Sequence, residues 1–494
     1  MNYLCDSYNR IANNPHKIDQ VDVDYLTDCV RRKAVNLFLK PEAYYPATED
    51  DQPSKDCFEM LQWQGASNSS SFFSGLLSDL MMKNCKVFNG LIGKLYGICL
   101  DVLSQLTEED EPTKWHNVLG AVIALVQKRE AAELFMKTEL RLLKSAKPKY
   151  IEHSTVLGNA LRFSFADTAY ALKYFSSNGT SNLTRSTKAL SESVKDMQSY
   201  AENIVSKLLY KTHRLPEVLL WFVKVANMNA ERSKMQHSTD VSSRSFLLNV
   251  FQLLLSILGD VTANSENYPK FASRIQPGFC NAVIVDSNLN YCNCDQMDME
   301  SAKRALKKEG PFDDLTQLFF LAHYYMNLFF EEMVSYINKR FSQRRLHPRE
   351  DLHLRVIFSF CVHLLAPQFM SQLSDFLAFT SCVIMSSIVP SGNATLQEYL
   401  QHRFRFPFPP VASEALAIFP EHLIKNVHQV FVFYITHPVN EFFKPNNMLL
   451  LLMSKLYISL LTMPYMSNKH VRAKLTEFFG LLVEERQSGK FSQG

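Results

Sequence analysis

The glycines of "FNGLIGKLYG", Gly90, Gly93 and Gly97, with Lys94 among them, are the sequence's nearest approach to a phosphate-binding loop. A P-loop needs four residues between its glycines and a Ser or Thr after the lysine, so that backbone N–H groups cradle phosphate and a hydroxyl holds magnesium. Neither condition is met. Small residues that let two helices approach closely are the stronger reading. Cys280, Cys292 and Cys294 come nearest to a metal cluster. A structural zinc site takes four ligands, commonly as two close pairs, and here the second pair is missing. The thiols therefore read as structural and unmetallated. His347 and His353, in "HPREDLH", lack the i, i+4 spacing that sets two ligands on one helix face, and they read as surface residues.

The basic run Lys339, Arg340, Arg344, Arg345 and Arg349, in "NKRFSQRRLHPR", suits an acidic partner or an import signal, with a solvated helix face as the plainer reading. "RFPFPP" (Arg405–Pro410) is either a polyproline ligand or a proline-broken loop laid on a helical body. No nucleophile can be paired with a base. The sequence thus assigns no catalytic, cofactor-binding or metal residue.

The elements that must position these residues are helices. Of 494 residues, 47% are hydrophobic and 20% charged, enough to bury a large core. Only 15 are glycine, which weighs against glycine-rich nucleotide folds and turn-dense β-proteins. A net charge of +3 makes neither nucleic acid nor a membrane surface the expected partner. The ten cysteines are scattered, and the start, "MNYLCDSYNRIANNPHKID", has no apolar core of signal-peptide type. A reducing compartment, cytoplasm or nucleus, is the expectation. Val356–Ser374, Phe376–Val389 and Met448–Met466 look superficially membrane-like. Their internal histidine, proline or lysine, or their shortness, makes them buried core helices instead.

Apolar residues at helical spacing predict helices over Asp24–Leu39, two within Phe72–Leu106, then Trp115–Ser145, Lys188–Leu209, Pro216–Asn229 and Ser245–Leu258. More follow at Leu315–Asn338, Asp351–Leu365, Phe369–Ser387, Thr395–His402, Pro420–Tyr434, Asn446–Thr462 and Asn468–Val483. Gly259–Gly310, with a possible short strand in "NAVIVDS", reads as a long loop, and Phe404–Ser413 as a break. One-faced helices in series, without a clean repeat, predict an all-α chain arranged as an irregular armadillo- or HEAT-like α-solenoid. The expected organisation is a helical N-terminal region over 1–114, a core over 115–483 and a polar tail over 484–494.

Five segments in order resemble the ubiquitin conjugation factor family, the chain-elongation factors that carry a C-terminal U-box. "STVLGNALRFSF" (Ser154–Phe165) is similar to the family's segment built around Leu-Gly, a Leu and then Ser. Val218–Leu258 has its Asn229, Arg232, Lys234 and Met235, its Val-Ser-Ser at Val241–Ser243, and Phe246 with Leu248-Asn249. Arg244-Ser245 stands where many members have Asp-Gly. "LFFLAHYYMNLFF" (Leu318–Phe330) resembles a Phe-Phe-Leu-x-x-His helix, and "FPEHLIKNVHQVFVFY" (Phe419–Tyr434) a Pro-Glu-x-Leu segment. "SNKHVRAKLTEFF" resembles an Asn-Pro-x-x-x-Ala-Lys-Leu helix.

The resemblance implies a role in extending polyubiquitin chains on proteasome substrates. Its implied partners are a ubiquitin-conjugating enzyme, the AAA ATPase segregase, ubiquitin-like-domain shuttle proteins and ubiquitinated substrates. No stretch resembles the U-box, so the chain is expected to be a partial core, inactive alone. The alternative is a non-catalytic scaffold in the same pathway. On this reading the face Val471, Leu475, Phe478 and Leu482 is expected to be partly exposed.

Overall fold

A computed structural model describes residues 2–12, 20–41, 52–62, 67–177, 183–211, 215–233, 240–284, 292, 312–346, 351–388, 414–436, 448–462 and 469–487. The described chain is all-α, with no strand among these residues. Its helices are α1 (Asn2–Ala12), α2 (Gln20–Leu39), α3 (Gln52–Gln62), α4 (Ser67–Lys83), α5 (Cys85–Gln105), α6 (Pro112–Leu125) and α7 (Arg129–Ser145). Next come α8 (Ile151–Ser154), α9 (Val156–Arg162), α10 (Ala169–Ser177), α11 (Leu183–Ser206), α12 (Pro216–Met228), α13 (Arg244–Thr262), α14 (Tyr268–Ala272) and α15 (Phe279–Val283). The remainder are α16 (Asp314–Leu346), α17 (Asp351–Leu364), α18 (Pro367–Ile388), α19 (Glu414–Ile418), α20 (Glu421–Thr436), α21 (Met448–Thr462) and α22 (Lys469–Gln487). The chain divides into two units, Met1–Ser164 with Glu192–Trp221, and Phe165–Ser191 with Phe222–Gly494.

In the first unit α5 packs against α4, α6, α7 and α9. Asn84 caps α5, its side-chain oxygen accepting from the N–H groups of Lys86 (3.1 Å) and Val87 (3.3 Å). The single helix expected over Trp115–Ser145 is two. A turn at Val126–Lys128 separates α6 from α7, with Val126 fully buried, so the apolar pattern runs on through the break.

In the second unit α13 packs against α16 and α18, α16 against α17 and α20, and α18 against α21. "FLLNVFQLLLSIL" is apolar nearly all round because α13 is buried nearly all round. Two expectations are corrected here. Asn281–Val283 of "NAVIVDS" belong to α15 rather than to a strand, and the region after Gly259 carries α14 and α15 rather than one long loop. The expected helix Thr395–His402, the break Phe404–Ser413 and "RFPFPP" lie outside the described residues.

The expected exposure of the α22 face is also overturned. Val471, Leu475 and Phe478 are buried, against α20 and α21. The Phe478 ring lies 4.4 Å from Phe431 and 4.5 Å from Tyr457. Leu482 alone of the four is half-buried. The helix found its partners earlier in the same chain.

Candidate functional site

The polar groups of the family-like segments are spent on holding helix ends. Glu139 of α7 is fully buried. Its Oε1 accepts from the Tyr96 hydroxyl (2.7 Å) and from the N–H groups of Val156 (2.8 Å) and Leu157 (3.1 Å). Its Oε2 accepts from the Trp221 indole (3.0 Å). Val156 and Leu157 open α9, where N–H groups lack intrahelical partners and a negative charge is favoured. Burial pushes the Glu139 carboxyl up to about 7, while the bonds from Tyr96, Leu157, Val156 and Thr155 pull it down.

Thr155 caps the same helix by accepting from Gly158 N–H (2.9 Å). A Cβ at Gly158 would stand 2.1 Å from the Ile151 carbonyl oxygen, so only glycine fits. At the helix's other end Arg162 donates to the carbonyls of Leu103 (2.8 Å) and Leu106 and lies 5.3 Å over the Trp115 ring. "STVLGNALR" is thus a helix fastened at both ends.

In the second unit Phe165 N–H donates to His363 Nε2 (3.1 Å) and Asp167 N–H to Ser359 Oγ (2.9 Å), with Asp167 at a left-handed φ of 56°. Asn229 and Ser242 bond reciprocally at 3.1 and 2.8 Å, joining the ends of the segment between α12 and α13. Arg232 donates to the Ser242 carbonyl (3.0 Å) and pairs with Glu332. His323 Nε2 lies 2.8 Å from Thr380 Oγ1, whose hydroxyl donates to the Phe376 carbonyl (2.8 Å). Asn426 Nδ2 donates to the His323 carbonyl (2.8 Å) and lies 3.3 Å from His323 Nδ1. Nδ1 is then an acceptor, and Nε2 carries the proton. Burial holds His323 well below its usual range, His363 at about 4 and His422 at about 3. These imidazoles are neutral.

His323 and Thr380 have the contact distance of a base and a nucleophile. Both are fully buried, and the hydroxyl proton is committed to a carbonyl, so the pair is a core tie. Sequence reasoning did not assign Glu139 or His323 a role in its search for chemistry. A charged residue inside the run "REAAELFMKTELRLLK" was the only signal for Glu139.

The sequence-level candidates do not converge. Gly90, Gly93 and Gly97 have nothing within 4 Å of an added Cβ, so they admit no neighbouring helix and the close-packing expectation is corrected. Cys280 and Cys292 are buried, and Cys294 lies outside the described residues. Burial pushes the Cys280 thiol up. Among the described residues no group of three potential ligands is placed to hold a metal. His353 is buried beside Arg340 rather than on the surface, its Nδ1 3.4 Å from Nη1, while His347 lies outside the described residues. Helix α18 is long and apolar enough to cross a membrane, as are α5 and α13, yet most of α13 and α18 is buried in protein.

Among the described residues, which are all-α, the buried ties traced above fix helix ends and core contacts. Residues 157–493 match the ubiquitin elongating factor core, and the chain belongs to that family. No curated protein matches the chain.

Proposed function

We propose that this protein takes part in polyubiquitin chain elongation as the helical body that gathers the reacting proteins. The family match over 157–493 carries this reading. Transfer of the U-box kind needs no nucleophile on the ligase. It needs a surface that holds a charged conjugating enzyme and orients its thioester, so the rate gain comes from proximity. On this reading the helices are stacked as an irregular α-solenoid, an architecture suited to several partners at once. The partners are a ubiquitin-conjugating enzyme, engaged through a U-box, the AAA ATPase segregase, ubiquitin-like-domain shuttles and ubiquitinated substrates. The sites of action are cytoplasm and nucleus.

The second reading is a scaffold that binds pathway partners without stimulating transfer. The full burial of Glu139, His323 and Thr380 favours it, since no polar cluster among them is open to a substrate. The two readings separate in a chain-extension assay with activating enzyme, conjugating enzyme and a ubiquitinated substrate when a U-box is fused to residues 1–494, extension supporting the first reading and its absence the second. Residues 1–494 alone are expected to give no stimulation and still to retain shuttle or segregase proteins in pull-down. Robust extension by these residues alone would overturn the expectation of inactivity. Loss of both activities would overturn the pathway assignment.

A further inference from the structure

The second half of α7 and the turn after it carry five cations on an open surface. Lys137, Arg141 and Lys144 are exposed, as are Lys147 and Lys149 beyond the helix end. The first three stand at i, i+4 and i+7, which puts them on one helix face within about 10 Å of rise. The opposite face, with Ala132, Phe135, Met136, Glu139 and Leu143, is the buried one. Between Leu134 and Ile151 the only acid is Glu139, which is fully buried with both oxygens bound inside the core. None of the five cations has an ion pair or a side-chain hydrogen bond among the described residues.

The helix itself does not account for these charges. Like charges at i, i+4 and i, i+3 destabilise a helix, and Lys137 with Arg141 and Arg141 with Lys144 are two such pairs. The helix dipole favours cations only in the last turn, which explains Lys144 and leaves Lys137 and Arg141. On the same face toward the N-terminus stand Glu130 and Glu133, the second paired with Arg129 (3.1 Å). They confine the positive surface to the end of α7 and the turn that follows. A nucleic-acid backbone or a flat anionic membrane laid along α7 would meet these carboxylates, whereas a short acidic segment need cover only the cations. Four of the five are lysines, flexible point charges without a planar fork, so they select charge density rather than two-point geometry.

We propose that Lys137, Arg141 and Lys144, extended by Lys147 and Lys149, form a docking surface for a short acidic segment of a partner protein. This goes beyond the chain-elongation reading and is tested without ubiquitin transfer. The probe is a fluorescent peptide of alternating Asp, Glu and Gly, its anisotropy titrated with the full 494-residue chain at low and physiological salt. A Gln/Asn/Gly peptide, a DNA duplex and vesicles of phosphatidylserine in phosphatidylcholine are run in parallel. The acidic peptide is expected to bind about tenfold more tightly than the neutral one and to weaken as salt rises. Exposed ion pairs are individually weak, so Lys137→Gln, Arg141→Gln and Lys144→Gln should each weaken binding about twofold and the triple variant about tenfold. Lys144→Arg keeps the charge and should keep the affinity. A control triple of exposed α11 cations, Arg185→Gln, Lys188→Gln and Lys195→Gln, removes the same charge elsewhere and should leave binding unchanged. Thermal melting of each variant separates lost binding from lost folding, and the single variants carry the test if the triple does not fold. Equal binding of neutral and acidic peptides, full affinity in folded α7 variants, or an equal loss in the α11 control would overturn the proposal. Tighter binding of the duplex or the vesicles than of the acidic peptide would overturn the partner class.

Discussion

At the scale of single residues, the decisive groups are buried ones whose partners are counted. Glu139 carries four hydrogen bonds on two oxygens and joins α5, α7, α9 and α12. Its carboxyl is raised from an ordinary 4.5 to about 7, so the folded protein holds that proton more tightly than the unfolded chain does. The carboxyl therefore takes away stability as pH rises from about 4.5 to 7, and the loss is constant above that. In Glu139→Gln the titration is gone. The difference in urea midpoint between wild type and variant should change across that window and flatten above it, and a pH-independent difference would show that the shift is absent. Tyr457 presents the opposite case: fully buried, its hydroxyl has no partner among the described residues. Tyr457→Phe removes an unsatisfied polar atom while keeping the ring on Phe478, and should stabilise the fold by about 1 kcal/mol in chemical denaturation. A loss of stability would reveal a hydrogen bond to that hydroxyl.

At the scale of elements, glycine separates two kinds of position. Gly158 in α9 sits where any Cβ meets a backbone oxygen, so Gly158→Ala should cost about 3 kcal/mol or more. Gly90, Gly93 and Gly97 in α5 face open space, so alanine at each should raise stability by about 0.5–1 kcal/mol. Melting temperatures of the four variants check both signs together. Helix α22 gives the third element-scale test, because Phe478→Ala opens a cavity between Phe431 and Tyr457 and should cost about 3–5 kcal/mol. Helix existence was legible in "FLLNVFQLLLSIL" or "EHLIKNVHQVFVFY" because an apolar stripe repeated over many turns is a strong signal. The break between α6 and α7 was not legible, since Val126 stays apolar and no Gly or Pro marks the turn. Short helices such as α3 and α9 offer too few turns for periodicity to show. The polar ties were the least legible of all. Nothing local in "HYYMN" or "KNVHQ" says that His323 and Asn426, 103 residues apart, share a hydrogen bond.

At the scale of the molecule, the two units differ in what titrates inside them and in what reports on them. Trp115 and Trp221 lie in the first unit, and the ranges of the second contain no tryptophan. Tryptophan fluorescence therefore follows the first unit, while far-UV circular dichroism follows the helices of both. The second unit buries His323, His363 and His422 in neutral form, all held below their usual 6.5. An imidazole depressed in the folded state leaves the unfolded chain with more bound protons below about 6.5, so stability falls as pH falls. By linkage His363 and His422 each cost about 2 kcal/mol at pH 5 relative to pH 7, and His323 acts in the same direction. Asp375, raised to about 6 by burial, works in the opposite direction, but it is one part-exposed carboxyl against three enclosed imidazoles. In the first unit Glu139 likewise gains from acid, against the shallower depressions of His116 and His153. Acidification from pH 7 to 5 should accordingly move the dichroism transition in urea to markedly lower concentration while moving the fluorescence transition little. His363→Gln should shrink that separation, because it removes one of the three titrations without adding a charge. Transitions that shift together, or a dichroism midpoint unchanged at pH 5, would show that the buried histidines do not set the acid stability of the second unit.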